Sequence, residues 1–285
     1  MSTLITKLPE SVTDGTLSKL GEIAIKFNIP QDTAIANRKI VIGHNNVTAT
    51  LRIVGSGNFV NSSDVSLGKE ITTSLGQNTI YLSTGEFIVF VGDKYKLEVL
   101  NLADVPSGYE FVSDMKYTSL LVNVNIPYAN KDAEEPLYLS DLDLSYVNQF
   151  KAVVSTASNK IVGSFKNFNL VRLGVLQVTR QSAFEGDFAD LTGSTNLVDF
   201  RVGYTASHGN FVNLGGNVNL SIISVEKCSG VTGALEDFLD ALKTNGKVSS
   251  NISLFLVDSG VTYGGAVITT NKTATFDASG NWTVS

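Results

Sequence analysis

The chain has 285 residues, of which 17% are charged and 43% apolar, with a formal net charge of −6. That length suggests roughly two domains, and the apolar share supports a sizeable core and argues against disorder, which needs low hydrophobicity and high charge. One cysteine (Cys228) excludes a disulfide framework and a cysteine-based zinc site, two histidines (His44, His208) leave little for metal or acid–base chemistry, and an apolar run no longer than 87–91 excludes a membrane-spanning helix. Scattered Lys and Arg in an acidic chain argue against nucleic-acid binding. Asn, Ser, Thr and 25 Gly stand where charge is missing, which reads as strands and tight turns. The first residues contain no apolar h-region, so no signal peptide is expected.

Residues 1–20 read as an arm of short apolar pairs broken by Pro9, Asp14 and Gly15. Two readings are open for it: a loose tail, or a segment that orders on a partner. Residues 21–110 read as a β-sandwich. Ile23, Ile25, Phe27 and Ile29 alternate with period two, as do Val47, Ala49, Leu51 and Ile53. Strands are also expected at 79–83, 86–92 and 94–100, with turns at Ser83-Thr84-Gly85 and Gly92-Asp93.

From about residue 111 a repeat appears. Gly163-Ser-Phe-Lys-Asn-Phe168 is followed by Gly186-Asp-Phe-Ala-Asp-Leu191, Gly209-Asn-Phe-Val-Asn-Leu214 and Gly233-Ala-Leu-Glu-Asp-Phe238, the glycines 23, 23 and 24 residues apart. Each block carries an apolar triplet in L-x-x-L-x-V spacing: Leu173, Leu176, Val178; Leu197, Phe200, Val202; Leu220, Ile223, Val225; Ile252, Phe255, Val257. Degenerate copies upstream place Phe150 and Val153, and Leu121, Val124 and Ile126, in the same role. No single copy can bury its apolar face, so the copies are expected to stack as a solenoid over 111–265. The spacing resembles a short-period leucine-rich-repeat array. In that family the residue three after the strand is commonly Asn; here it is Ser158, Gln181, Thr205, Cys228 and Gly260, so the resemblance implies a buried ladder position for Cys228 and an irregular array. Within the last copy, 234–242 places Leu235, Phe238, Leu239 and Leu242 on one helical face. Residues 266–285 read as a β-hairpin about Asp277-Ala-Ser-Gly-Asn281 that caps the open end.

Few constellations carry chemistry. Gly55-Ser-Gly57 resembles a phosphate loop but lacks a third glycine and a following helix, and reads as a turn. Glu134, Glu135, Asp141 and Asp143 lie within ten residues, but a calcium loop needs alternating oxygen ligands and a closing Glu, and Asp141 matches the Asp/Asn position of the repeat, where a structural cap is expected. His208 occupies a variable column, and neither histidine lies in a triad-like motif. No cofactor or metal is expected. The informative set is the outward column of the repeat strands: Val175, Gln177, Asp199, Arg201, Ile222, Ser224, Leu254 and Leu256, with Asn123, Asn125, Ala152 and Val154 upstream. Leucine-rich repeats commonly bind partners on this face, and an exposed apolar patch marks an interaction site or a face the chain itself covers.

The stretches Leu4-Ile-Thr-Lys-Leu-Pro-Glu-Ser-Val-Thr-Asp, Lys19-Leu-Gly-Glu-Ile-Ala-Ile-Lys and Phe276-Asp-Ala-Ser-Gly-Asn-Trp-Thr-Val resemble sequences of gut Bacteroidales and their crAss-like phages. The resemblance implies a non-enzymatic virion structural protein, a head or tail fibre or decoration. It would self-associate and contact other virion proteins, and could meet a host surface protein or glycan. The alternative is a leucine-rich-repeat adhesion module at a bacterial surface. A surface polysaccharide hydrolase would need paired carboxylates about 5–9 Å apart, for which the outward columns offer only Asp199 and Glu226.

Overall fold

The computed structural model describes residues 21–113, 115, 118 and 120–285; the expected arm, 1–20, lies outside the described residues. The protein is mainly β, with large sheets. It divides into two compact units, one ending at Tyr146 and one spanning Val147–Ser285, so the repeat texture that begins near residue 111 starts inside the first.

The first unit's strands are β1 (Ile23–Ile29), β2 (Lys39–His44), β3 (Thr50–Gly55), β4 (Phe59–Val60), β5 (Ser66–Gly68), β6 (Glu70–Thr72), β7 (Gly76–Leu82), β8 (Gly85–Val91), β9 (Leu97–Asn101), β10 (Tyr109–Phe111), β11 (Asn123–Asn125) and β12 (Leu137–Tyr138). One antiparallel sheet runs β10-β1-β8-β3-β6. A second run of strands, β11-β9-β2-β7-β4-β5, is antiparallel except at the β11–β9 pair. The period-two residues of β1 are buried on one face, opposite Val91, Val89 and Phe87 of β8. β8 is buried on its other face too, where Ile88 and Phe90 cluster with Ala24, Val54 and Val112. The Arg52 guanidinium lies 3.7 Å from the Phe90 ring centroid. A strand covered on both faces needs a continuous apolar run, which is the origin of 87–91. β2 adds to the expected strands: Ile40 and Ile42 are buried and alternate with Lys39 and Val41, between β9 and β7.

The second unit contains β13 (Gln149–Ser158), β14 (Ile161–Ser164), β15 (Val175–Gln181), β16 (Phe184–Asp187), β17 (Asp199–Arg201), β18 (Ala206–Asn210), β19 (Ile222–Ser224), β20 (Gly230–Thr232), helix α1 (Leu235–Thr244), β21 (Asn251–Phe255), β22 (Thr262–Tyr263), β23 (Ala266–Val267), β24 (Lys272–Phe276) and β25 (Trp282–Val284). β13, β15, β17, β19 and β21 pair in parallel in chain order. β14, β16, β18 and β20 form a second parallel run in the same order. The three central triplets, from Leu173 to Val225, are fully buried. So are Phe165, Phe188 and Phe211, each opening a short 3-10 turn. The Phe165, Phe188 and Phe200 rings meet with centroids 5.7–6.0 Å apart.

The repeated Gly-Ser/Asp/Asn-Phe now has a mechanism. The polar residue caps the turn: Asp187 Oδ1 accepts from the Ala189 N–H at 2.9 Å, and Asn210 Oδ1 from Val212 at 3.1 Å. Ser164 forms a capping box with Asn167. After the Asp187 and Asn210 caps, the glycine of the next copy lies against the capping side chain. A Cβ on Gly209 would stand 2.4 Å from Asp187 Oδ1, and one on Gly233 2.4 Å from Asn210 Oδ1, both at φ +110°.

Two strands depart from the expected register. In β21, Leu254 pairs with Ile223 and Phe255 with Ser224. Leu254 and Leu256 are buried, while Phe255 and Val257 stand half-buried on the other face. Leu254 and Leu256 are therefore core residues, not outward ones. β21 also pairs with β24, Ile252 opposite Ala274, and runs in plain alternation from Ile252 through Leu254 to Leu256. β13 likewise turns Phe150 and Ala152 inward, opposite Leu176 and Val178, and Lys151 and Val153 outward; Val154 is buried. The same shift makes Ser259, not Gly260, the last ladder residue, its Oγ donating to the Leu256 carbonyl at 2.6 Å. Cys228 occupies the ladder as expected, its Sγ 3.0 Å from the Val202 carbonyl. Burial pushes its thiol above the ordinary value. Iodoacetamide is therefore expected to leave Cys228 unlabelled in the native protein and to label it rapidly in urea, read by intact-mass spectrometry.

Helix α1 buries Leu235, Phe238, Leu239 and Leu242. It packs on the turn Phe211–Gly216, with the Phe211 and Phe238 rings 4.6 Å apart. β24 and β25 form the expected hairpin. At its turn the Asp277 carboxylate accepts from the backbone and side chain of Asn281 and the backbone of Ser279, and these bonds, led by Asn281, hold its pKa below the ordinary 3.8. A depressed carboxylate supports the fold fully above its unfolded pKa and loses that support as pH falls through the folded value. Asp277→Asn is thus expected to remove part of the acid dependence of stability between pH 5 and 2, measured by thermal melts.

Candidate interaction surface

The parallel ladder sets the outward side chains in rows. Val175, Asp199, Ile222 and Ser253 form one row, and Gln177, Arg201, Ser224 and Phe255 the next. Six of the eight expected outward residues stand here: Val175, Gln177, Asp199, Arg201 and Ile222 are half-buried and Ser224 is almost covered. Ser253 and Phe255 take the places expected for Leu254 and Leu256. The face is accordingly more polar than the sequence suggested.

Its centre is an ordered polar cluster. Arg201 Nε donates to Asp199 Oδ1 at 2.7 Å and its Nη2 to Oδ2 at 2.9 Å, while Gln177 Nε2 donates to Oδ2 at 2.8 Å. Such a fork fixes the guanidinium plane. Both carboxylate oxygens of Asp199 are engaged, which makes it an anchor for Arg201 and Gln177 rather than one of two free carboxylates facing a cleft.

One step along the strands, Thr179, Gly203 and Glu226 continue the outward alternation. Towards the end of β15, and in the turns after β17, β19 and β21, a non-glycine residue takes the left-handed region: Arg180, Tyr204, Lys227 and Asp258, with φ of 59°, 61°, 58° and 53°. Their side chains pair across neighbouring copies. The Arg180 guanidinium lies 4.1 Å from the Tyr204 ring centroid, and Lys227 is ion-paired with Asp258. No family model, curated protein or solved structure matches the chain.

Between this rim and the Arg201 row lies a cavity of about 300 Å³. Gly203 is part of its lining, where a Cβ would stand 3.1 Å from Ser224 Oγ and 3.4 Å from the Glu226 carbonyl. Tyr204 and Phe255 were not anticipated from the sequence, the first because it sits in a turn and the second because of the register shift in β21. A different column carries asparagines that bridge copies: Asn196 Nδ2 donates to the Val171 carbonyl at 2.6 Å and Asn219 Nδ2 to Thr195 at 2.9 Å. Each precedes the first leucine of its triplet, a signal present in the sequence.

The remaining sequence features sit elsewhere. Around Gly55-Ser-Gly57, the Gly55 and Gly57 carbonyls accept from Lys69 Nζ, so the turn presents carbonyls to a cation, the opposite polarity to a phosphate cradle. Asp143 accepts from the Ser145 hydroxyl and N–H. His208 is exposed on β18. Among the described residues no group of three His, Cys, Asp or Glu is placed to hold a metal, and no helix is long and apolar enough to cross a membrane.

Proposed function

We propose that the chain is a non-enzymatic virion structural protein of a Bacteroidales phage, a head or tail fibre or decoration. In this reading residues 21–110 are a β-sandwich used, with the arm, for attachment and self-association. Residues 111–265 are a leucine-rich-repeat-like solenoid, capped by the hairpin of 266–285, that presents its outward strand face to partners. The observation that carries it is the parallel ladder with one strand in each of two runs per copy, which leaves the row Gln177, Arg201, Ser224 and Phe255 on an ordered face. The virion setting rests on the terminal stretches of the sequence. Mass spectrometry of purified particles is expected to detect the chain, and sedimentation to show concentration-dependent self-association. A monomeric protein absent from particles would overturn the proposal. The second reading, an adhesion module at a bacterial surface, is favoured by the cavity over Gly203, because a purely structural face has no need of one.

A further inference from the structure

We propose that the cavity over Gly203 binds one ring of a neutral saccharide. This rests on the reading of the outward strand face as a binding surface. The volume, about 300 Å³, is at the lower end of small-ligand pockets, roughly 300–1,000 Å³. The floor is small and hydroxylated, with Gly203 flanked by Thr179 and Ser224. Two half-buried aromatic side chains, Tyr204 and Phe255, line it and offer apolar surface to the C–H face of a pyranose.

The polar groups are held in place before any ligand arrives. Arg201 is fixed by its two bonds to Asp199, which leaves its Nη1 to donate, and Gln177, bound through Nε2, keeps Oε1 to accept. Glu226 adds an acceptor on the same cavity. Ring hydroxyls donate and accept in turn, and a mixed set of oriented donors and acceptors matches them. Asp199 offsets Arg201, and Glu226 stands against Arg180, so the local charges cancel and favour a neutral ring over an acidic one. A peptide strand fits less well. The main-chain groups of β15, β17, β19 and β21 are already paired within the sheet, so strand addition finds no partners there.

The test is an array printed with neutral, sialylated, sulfated and uronic-acid oligosaccharides and with short peptides, probed with the full chain. Neutral glycans are expected to bind. Gly203→Leu, which fills the cavity, is expected to weaken that binding at least tenfold with an unchanged far-ultraviolet circular dichroism spectrum. Glu226→Gln, nearly isosteric, is expected to weaken it severalfold. Binding of acidic glycans or of peptides alone, no binding at all, or full binding by both variants overturns the inference. A chain found in particles that binds no saccharide overturns the ligand class and leaves the virion assignment standing. A chain that binds neutral glycans but is absent from particles does the reverse.

Discussion

Replacing Phe200 by alanine is expected to lower the unfolding free energy by about 3–5 kcal/mol, the usual cost of deleting a buried aromatic side chain and leaving its cavity. The ring is fully buried and lies 5.7 Å from both Phe165 and Phe188, which belong to the return segments. The site cannot collapse cheaply, because the backbone around it is fixed on two sides by β15 and β19. Urea denaturation followed by circular dichroism measures the loss. Ile222→Ser, one strand away on the outward face, is the control and is expected to cost well under half as much. Equal losses at the two positions would mean that the inward and outward faces are misassigned.

The second large effect is expected at Gly209. Alanine there must hold φ near +110°, a conformation that costs about 1–3 kcal/mol for a residue with a Cβ. Its Cβ also falls 2.4 Å from Asp187 Oδ1, so the carboxylate must leave the Ala189 N–H it caps, at about 1 kcal/mol more. A double-mutant cycle separates the two causes. Asp187→Ala alone forfeits the cap, and in its background Gly209→Ala keeps only the φ cost and the 3.0 Å approach of its Cβ to the Phe188 nitrogen, so the combined cost is expected to fall short of the sum. Full additivity would show that the glycine answers to backbone geometry alone.

What could be read in advance, and what could not, follows from the register physics. The columns from Leu173 to Val225 were legible because each triplet recurs with one spacing and only one phase of it is apolar throughout, Val175 and Ile222 being isolated in the other. The segment 252–257, Ile-Ser-Leu-Phe-Leu-Val, is apolar in two phases at once. One phase matches the triplet through Phe255 and Val257; the other is simple alternation through Leu254 and Leu256. Pairing decides between them, since β21 must align with β19 on one side and β24 on the other, and pairing is not local information. A one-residue slip exchanges the two faces of a strand, and so two of the eight anticipated surface residues became core. The same ambiguity at Phe150-Lys-Ala-Val-Val reversed β13. The cavity was beyond reach for a related reason: its lining joins Phe255, placed by the register of β21, to Tyr204, which sits in a left-handed turn. Asp199 and Arg201 were legible as outward neighbours, because residues two apart on a strand share a face, but their bonding to each other was not.

The parallel ladder has a mechanical consequence. Adjacent strands lie about 4.8 Å apart, so each copy advances the ladder by that small step while storing 23 or 24 residues of chain. Drawn out fully, one copy reaches about 80 Å. A pull across the ladder detaches copies one after another, and each detachment yields a long extension for the loss of two short strands' bonds, one in each run. A pull along the strands loads all of the bonds of a pair together. The molecule is therefore compliant in one direction and stiff in the perpendicular one, and the direction of the load decides whether it stretches in steps or holds.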